Sequence, residues 1–179
     1  MDEEWQRLAF ADKVKEIFCD TFGVNLAFVE RWKRTEEIPM GFLKPVRKCL
    51  TDIGDGFRAM KPDVWIEYII RKASSPSIIT DGRYKNEATA VKKSGGVNVL
   101  LHRPGFENET DNPSELTTGN IVKQLNSKNF YSGVIPQQLK ELFDLKDYDY
   151  LLRNDGDLRK FEQDVVLYLV PFVSPLVDS

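Results

Sequence analysis

The stretch Ser77–Glu87 constrains the fold of this chain more than any other. Its short apolar run, Ile78 and Ile79, leads into an acidic residue, Asp81, and a helical pattern follows Arg83. A short apolar run bounded by turn residues is typical of a buried parallel strand. Ligands of open α/β sheets bind outside the carboxyl ends of such strands. We therefore expect Asp81 and Arg83 to lie where α/β proteins build their sites.

The residue types of this stretch allow two interpretations. An aspartate at a strand end can hold a cation or a substrate hydroxyl, and an arginine can bind a phosphate through two parallel hydrogen bonds. The alternative is structural: Asp81 caps the helix that follows, and Arg83 pairs with Glu87. These residues alone leave both interpretations open.

Composition excludes several classes of protein. The 179 residues suit one domain, and a net charge of −3 lacks the basic excess of a dedicated nucleic-acid binder. Cys19 and Cys49 fit no metal spacing and His102 is the only histidine, so no metal site is expected. No apolar run approaches the roughly 20 residues of a membrane span. Two cysteines without a signal peptide favour a reducing, cytosolic setting.

Apolar periodicity predicts an alternation of strands and helices. The order strand, helix, strand, insertion, strand, helix is typical of parallel strands joined by crossover helices. We therefore expect an α/β fold with a three-layer parallel sheet in a single domain, residues 1–179. The predicted strands are Arg7–Phe10, the run around Ile78 and Ile79, Val97–His102 and Tyr148–Leu152. The predicted helices are Asp12–Thr21, Leu26–Trp32, Val46–Phe57, one beginning near Pro62, Tyr84–Lys93, Pro136–Phe143 and Leu158–Leu169.

Particular residues predict where helices end and approach one another. Gly23 is expected to end the first helix, Asn25 to cap the second, and Asp155 or Asp157 to cap the last. Gly54 and Gly56 weaken their own helix, each by roughly 1 kcal/mol relative to alanine. Their presence therefore indicates close approach of a ligand or of a neighbouring helix.

Polar side chains follow three of the predicted strands. Asp81 and Arg83 follow one, Arg103 follows the next, and Asn154 and Asp155 follow the last. Arginines that meet at one sheet edge suit a phosphate-bearing ligand, because a guanidinium group matches two phosphate oxygens at once. The preceding helices add Arg47, Arg58 and Lys61. The alternative for Arg47, Lys48 and Lys61 is a solvated face.

Two motifs are the most specific features of the sequence. Residues 81–87 read Asp-x-Arg-x-x-Asn-Glu, and residues 154–156 read Asn-Asp-Gly. With them, the chain resembles the bacteriophage deoxynucleoside monophosphate kinase family from about Trp5 to Leu169. The other segments that carry the resemblance are Leu8–Ile17, Leu50–Phe57, Pro62–Trp65, His102–Gly105 and Asn112–Glu115.

The resemblance implies a P-loop kinase-like fold and transfer of the ATP γ-phosphate to a deoxynucleoside monophosphate, with Mg²⁺. It implies catalytic roles for Asp81 and Arg83, and a lid-like insertion at about residues 104–135. By the same resemblance, substrate binding would involve Arg58, Trp65, Glu87 and Arg103, and nucleotide binding would involve Asn154, Asp155 and Gly156. The alternative for Trp65 is a place in the core, and no protein metal ligand is implied.

The sequence departs from the family in one respect. Such kinases cradle the ATP phosphates in a loop of the form G-x-x-x-x-G-K-[S/T]. The sequence contains no such loop, and Gly41–Lys44 lacks the first glycine and the Ser or Thr. The family's first strand, loop and first helix would precede Trp5. We therefore expect a chain that is inactive or incomplete alone, with a gap or exposed edge in its sheet unless another segment fills it.

Three functions remain open. An active kinase would use ATP and Mg²⁺ and take its loop from another chain, a fused neighbour or a deleted N-terminus. A catalytically dead, kinase-derived protein would have a structural or partner-binding role, for instance in a phage particle. A kinase acting on bases within DNA is disfavoured by the near-neutral charge, because duplex contact usually needs a basic stripe. The first two predict a cytoplasmic or virion-associated protein whose partners are a deoxynucleoside monophosphate and a protein covering the missing strand, without membrane or nucleic acid.

Overall fold

A computed structural model of the protein describes residues 5–74, 76–104, 132–142 and 144–173, apart from the side chains of Tyr168, Phe172 and Val173. The chain divides into two compact units, Met1–Gly82 and Arg83–Ser179, called here the N-terminal and C-terminal units. Nearly all of the predicted lid at about residues 104–135 lies outside the described residues. The single domain and the lid therefore stay predictions.

In its described part, the N-terminal unit combines helices with one parallel pair of strands. Arg7 lies opposite Ile78 in this pair, as the predicted parallel arrangement requires. The first strand is shorter than predicted because Phe10 already begins the first helix, after an extended Ala9. In chain order the elements are β1 (Gln6–Leu8), α1 (Phe10–Phe22), α2 (Leu26–Trp32), α3 (Val46–Met60), α4 (Val64–Lys72) and β2 (Ser77–Ile79).

The core of the N-terminal unit lies among α1, α2 and α3. Phe18, Val29 and Val46, one from each helix, are fully buried and form one cluster. The predicted helix ends are confirmed: Gly23 ends α1 in a left-handed conformation, with φ 65°, and its N–H donates to the Cys19 carbonyl. The Asn25 side chain caps α2 by accepting from the Phe28 N–H at 2.9 Å. Each of these caps depends only on residues within a few positions in the sequence, so both could be predicted from the sequence.

In the described part of the C-terminal unit, three strands form one sheet in the order β3-β5-β4. Strands β3 and β5 are parallel, with His102 opposite Arg153. Strand β4 is antiparallel to β5 and was not predicted, because two residues are too few to show a strand pattern. In chain order the elements are α5 (Lys85–Lys93), β3 (Val99–His102), β4 (Gly133–Val134), α6 (Gln137–Leu142), β5 (Tyr150–Arg153), α7 (Leu158–Asp164), a π-helical segment (Val165–Leu169) and α8 (Val170–Val173).

The C-terminal unit has its own apolar core, which contains Ala88, Leu100 and Leu151. Asn98 connects α5 to the segment before β5, because its side-chain amide donates to the carbonyls of Ala88 and Asp147, both at 2.7 Å. The last helix differs from the prediction, since its α-helical turns pass into the π-helical segment after residue 164. Its cap is Asp157, whose carboxylate accepts from the Lys160 N–H at 2.8 Å.

The mixed α/β character of the prediction is confirmed. The described residues form one small sheet in each unit, and one of their three strand pairings is antiparallel. The three-layer parallel sheet and the P-loop kinase-like fold stay predictions.

Candidate functional site

The carboxylate of Asp81 joins the end of β2 to the start of α1. One oxygen, Oδ1, accepts from the Phe10 N–H at 2.8 Å, and Oδ2 accepts from the Ala11 N–H at 2.9 Å. The first N–H groups of a helix have no partner within the helix, and the helix dipole favours a negative charge beside them. Asp81 therefore acts as an internal anion at the N-terminus of α1.

This geometry corrects one of the two interpretations left open by the sequence. The structural alternative had Asp81 capping the next helix, α5. The structure instead pairs it with α1, about 70 residues earlier in the chain. The residues next to Asp81 in sequence gave no signal for this contact, because Asp81 approaches α1 only when β1 and β2 pair. A catalytic role for Asp81 stays a prediction.

Glu87 caps α5. It is only 4% exposed, and its Oε2 accepts from the N–H groups of Arg83 at 2.7 Å and Tyr84 at 3.0 Å. The pairing of Arg83 with Glu87 that the sequence offered thus includes a backbone contact. Burial of a charged carboxylate is favourable only when donors of this kind satisfy it. Substrate binding by Glu87 stays a prediction, and this oxygen already serves the start of α5.

Gly54 lies between two of the predicted substrate-binding residues, Arg58 and Trp65. The indole N–H of Trp65, on α4, donates to the Gly54 carbonyl at 3.1 Å, and the Trp65 side chain is 4% exposed. A Cβ at Gly54 would lie 3.5 Å from Nη1 of Arg58, which also pairs with Asp55 at 3.2 Å. The neighbouring helix therefore contacts the Gly54 carbonyl, but a Cβ at Gly54 would meet only Arg58 of the same helix within 4 Å and a Cβ at Gly56 would meet nothing, so the predicted close approach is not seen at either glycine. Trp65 occupies the core, as the alternative interpretation allowed.

The carboxyl ends of β3 and β5 bring together two more predicted residues. Arg103 follows β3 directly and is exposed. Asn154 follows β5, and its N–H donates to the His102 carbonyl at 2.7 Å, which prolongs the parallel pairing past the strand. Ligands of α/β sheets favour such ends. Within the C-terminal unit, this is where the described side chains best fit a binding site.

Asp155 forms an ion cluster at the same end of β5. Its Oδ2 accepts from Nε of Arg153 at 2.8 Å, and its Oδ1 pairs with the Lys160 ammonium group. The hydrogen bond from Lys160, followed by that from Arg153, holds the pKa of the Asp155 carboxyl below its ordinary value. Lys160 was not among the predicted residues; its place in the first turn of α7, just after the Asn-Asp-Gly motif, was the available signal.

Gly156 leaves room for the Lys160 side chain to reach Asp155. A Cβ at Gly156 would lie 2.5 Å from Cδ of Lys160. The glycine of the motif therefore has a steric role in this structure. Its predicted contact with a nucleotide is not tested by these contacts.

The predicted residues thus fall into separate groups in the two units. The N-terminal unit contains Asp81 at the start of α1 and the set Arg58, Gly54 and Trp65. The C-terminal unit contains Arg83 and Glu87 at the start of α5, and Arg103, Asn154, Asp155 and Gly156 at the ends of β3 and β5.

The described residues contain neither a cluster of metal ligands nor a helix that could span a membrane. No group of three or more histidine, cysteine, aspartate or glutamate side chains in this part of the chain is placed to hold a metal ion. None of the helices in the described ranges has the length and apolar content needed to span a membrane.

Comparisons with known proteins give one relationship. No protein-family model and no solved structure matches the chain. Over 89 residues, 50% of its length, the chain is 26% identical to a protein of Acanthamoeba polyphaga mimivirus named "Putative deoxynucleotide monophosphate kinase". The matched part spans only about a third, 34%, of that relative. This similarity supports a kinase-like relationship at most, and the bacteriophage family is not confirmed.

Proposed function

We propose that the chain is the acceptor-binding part of a kinase that phosphorylates deoxynucleoside monophosphates. The observation that carries the proposal is its similarity to the mimivirus protein over half of its length. The Asp-x-Arg-x-x-Asn-Glu motif at residues 81–87 and the Asn-Asp-Gly motif at residues 154–156 support it. The finer family assignment, to the bacteriophage deoxynucleoside monophosphate kinases, belongs to this proposal.

The reaction itself is a phosphoryl transfer. An oxygen of the monophosphate attacks the γ-phosphorus of ATP, the bond to the β,γ-bridging oxygen breaks, and the products are a deoxynucleoside diphosphate and ADP. Most of the catalysis in such reactions is positioning and charge stabilisation. In this proposal, phosphate oxygens would be bound by Arg83 and Arg103, both in the C-terminal unit.

Asp81 has a positioning role in this proposal. Both of its oxygens accept backbone hydrogen bonds from the start of α1, which fixes the carboxyl end of β2. Mg²⁺ would enter with ATP. The described residues contain no cluster of ligands suited to it, so we assign no step to a protein-held metal. ATP binding would depend on a phosphate loop that the sequence does not contain.

Titration calorimetry with the four deoxynucleoside monophosphates and with ATP tests the proposal. We expect the purified chain to bind at least one monophosphate, to bind ATP weakly and to produce no diphosphate. Absence of binding to all four monophosphates would overturn the acceptor role. Turnover by the chain alone that Asp81→Ala abolishes would instead show a complete enzyme.

Single arginine variants sharpen this experiment. Removing a phosphate-binding guanidinium costs roughly 1.5–3 kcal/mol, so Arg103→Gln should weaken monophosphate binding about tenfold or more. Arg71→Gln is the matched control, because Arg71 is exposed on α4 and pairs with Glu67. Equal affinities for the two variants would exclude Arg103 from the site.

A catalytically dead, partner-binding protein is the second candidate. The use of both Asp81 oxygens by backbone N–H groups favours it. Binding of neither monophosphate nor ATP would support this candidate.

A further inference from the structure

The loop between α2 and α3 presents large apolar side chains to solvent. Met40 is 100% exposed, Leu43 is 94% exposed, and Ile38 is exposed as well. Other apolar residues at the surface of the N-terminal unit keep more cover, such as Ile78 of β2, which is 52% exposed. Single exposed apolar residues are normal, but a group of them marks an interaction site. The segment Ile38–Leu43 is named here the apolar turn.

The backbone holds the apolar turn in a defined shape. The Phe42 N–H donates to the Pro39 carbonyl at 3.0 Å, which closes a four-residue turn. Gly41 has φ 87°, and the third position of a type II turn needs such a positive value. Met40 therefore occupies the second position, at the tip of the turn, where no neighbouring element covers its side chain.

Phe42 anchors the apolar turn to the core of the N-terminal unit. The centroid of its ring lies 5.4 Å from that of Phe22, 5.6 Å from that of Phe18 and 5.9 Å from that of Phe28. Aromatic rings at these separations stabilise one another beyond the burial of their surfaces. Phe42 thus packs inward while the side chains near it stay outside. The exposed side chains are therefore presented by a packed turn.

The apolar turn lies within a basic part of the chain. From the last turn of α2 to the first turn of α3, residues 31–48 contain six lysines and arginines and two glutamates, a net charge of +4, whereas the whole chain carries −3. Lys44 and Lys48 pair with Asp52 at 2.6 and 3.2 Å. Arg47, in the first turn of α3, is exposed and forms no ion pair with any residue that the structure describes. This region therefore offers positive charge to an anionic surface.

We propose that the apolar turn inserts into the surface of an anionic lipid bilayer. Apolar side chains that enter the interface and basic residues that face anionic headgroups together give peripheral membrane binding. A bilayer accepts protruding side chains without a preformed pocket, whereas the core of a protein–protein interface is packed to match its partner. A nucleic acid would attract the basic residues but would not need Met40 and Leu43.

This contact needs no spanning helix, and it would bring to a membrane surface a chain for which the sequence predicted no membrane partner. It stands apart from the proposed function, because neither the motif at residues 81–87 nor the one at residues 154–156 lies in this segment.

Co-sedimentation of the whole chain with lipid vesicles tests the proposal. The probes are vesicles of phosphatidylcholine alone and of phosphatidylcholine with about 30% phosphatidylserine, in about 0.1 M salt. We expect the chain to bind the anionic vesicles about tenfold more tightly than the neutral ones. Failure to bind the anionic vesicles, or equal binding to both kinds, would overturn the proposal.

Two variants separate insertion from attraction by charge alone. The double variant Met40→Ser, Leu43→Ser should bind the anionic vesicles at least about tenfold more weakly, and its fold should persist because both side chains are exposed. Met60→Ser is the matched control, since Met60 is 75% exposed at the far end of α3, about 20 Å along the helix from its start. It should bind like the wild type. Equal affinities of the double variant and the control would overturn the insertion.

Methionine methyl NMR of the unaltered chain gives an independent readout. In bicelles of the same anionic composition, a spin-labelled lipid should broaden the Met40 methyl resonance and spare that of Met60. Equal broadening of the two would contradict insertion of the apolar turn. Analytical ultracentrifugation without lipid identifies the other occupant, a second copy of the chain. A dimer that the double variant loses, together with no vesicle binding, would assign the turn to self-association and overturn the proposal.

Discussion

Two aspartates follow parallel strands in this protein, and their surroundings differ. Asp81, after β2, accepts from two backbone N–H groups of α1 about 70 residues away. Asp155, after β5, is exposed and is held by the long side chains of Arg153 and Lys160. Backbone donors in a helix are fixed in place, whereas lysine and arginine side chains lose rotamer freedom when they pair. The same sequence signature therefore produces a tertiary link in one unit and a local charge cluster in the other.

The largest expected effect of a substitution is at Asp81. Asp81→Ala leaves the N–H groups of Phe10 and Ala11 without their acceptor, and it should lower the free energy of unfolding of the N-terminal unit by about 2–3 kcal/mol. Asp81→Asn keeps one acceptor oxygen and should cost about half as much. Urea unfolding followed by tryptophan fluorescence measures both variants selectively, because every tryptophan lies in this unit: Trp5, Trp32 and Trp65. A change below about 0.5 kcal/mol for Asp81→Ala would contradict the comparison.

An intermediate effect is expected from a substitution at Gly96 in the C-terminal unit, because the backbone of Val91 lies close to it. A Cβ at Gly96 would lie 2.6 Å from Cγ1 and 3.0 Å from the carbonyl oxygen of Val91, and the backbone there has little freedom to move. Gly96→Ala should therefore cost about 1–3 kcal/mol. Gly156→Ala is the matched control, because the side chain of Lys160 can swing away from the added Cβ at a cost below about 1 kcal/mol. Hydrogen exchange of the β3 and β5 amides measures both, and equal effects would argue against this explanation.

The smallest effect is expected at Asp155. Because pairing with Lys160 and Arg153 lowers the pKa of this carboxyl in the folded state, its contribution to stability is complete above the ordinary carboxyl pKa. That contribution is lost as the pH falls through the lowered value. Solvent screening keeps it below about 0.5 kcal/mol, so Asp155→Asn should be nearly neutral and fully neutral in about 1 M salt. An NMR titration of the Asp155 carboxyl that gave an ordinary or raised pKa would contradict the ion cluster.

Features set by neighbouring residues were predictable from the sequence. Asn25 and Gly23 act within one helical turn, and their roles as caps are confirmed. The parallel direction of β1 and β2 followed from the order of elements, but which strands pair did not. Gly54 and Gly56 did not predict the packing of their helix, because a Cβ at either position would meet no neighbouring helix within 4 Å.

Features set by distant residues were not predictable in the same way. The contact of Asp81 with α1 depends on two strands pairing across most of the N-terminal unit. Strand β4 is defined only by its neighbour β5, since two residues carry no periodicity. The candidate site residues were identified largely through motif resemblance. What the structure adds is which of their atoms are already used for folding.

The exposed, uncharged β2 has a practical consequence for anyone who produces this chain. Two copies of the protein present the same uncharged strand to each other, so self-association should increase with concentration. Dilute stocks and a solubilising charge nearby should then give cleaner preparations than additional purification steps. Poor yield of the recombinant protein would, for this reason, point to association through β2 before it points to a failure of folding.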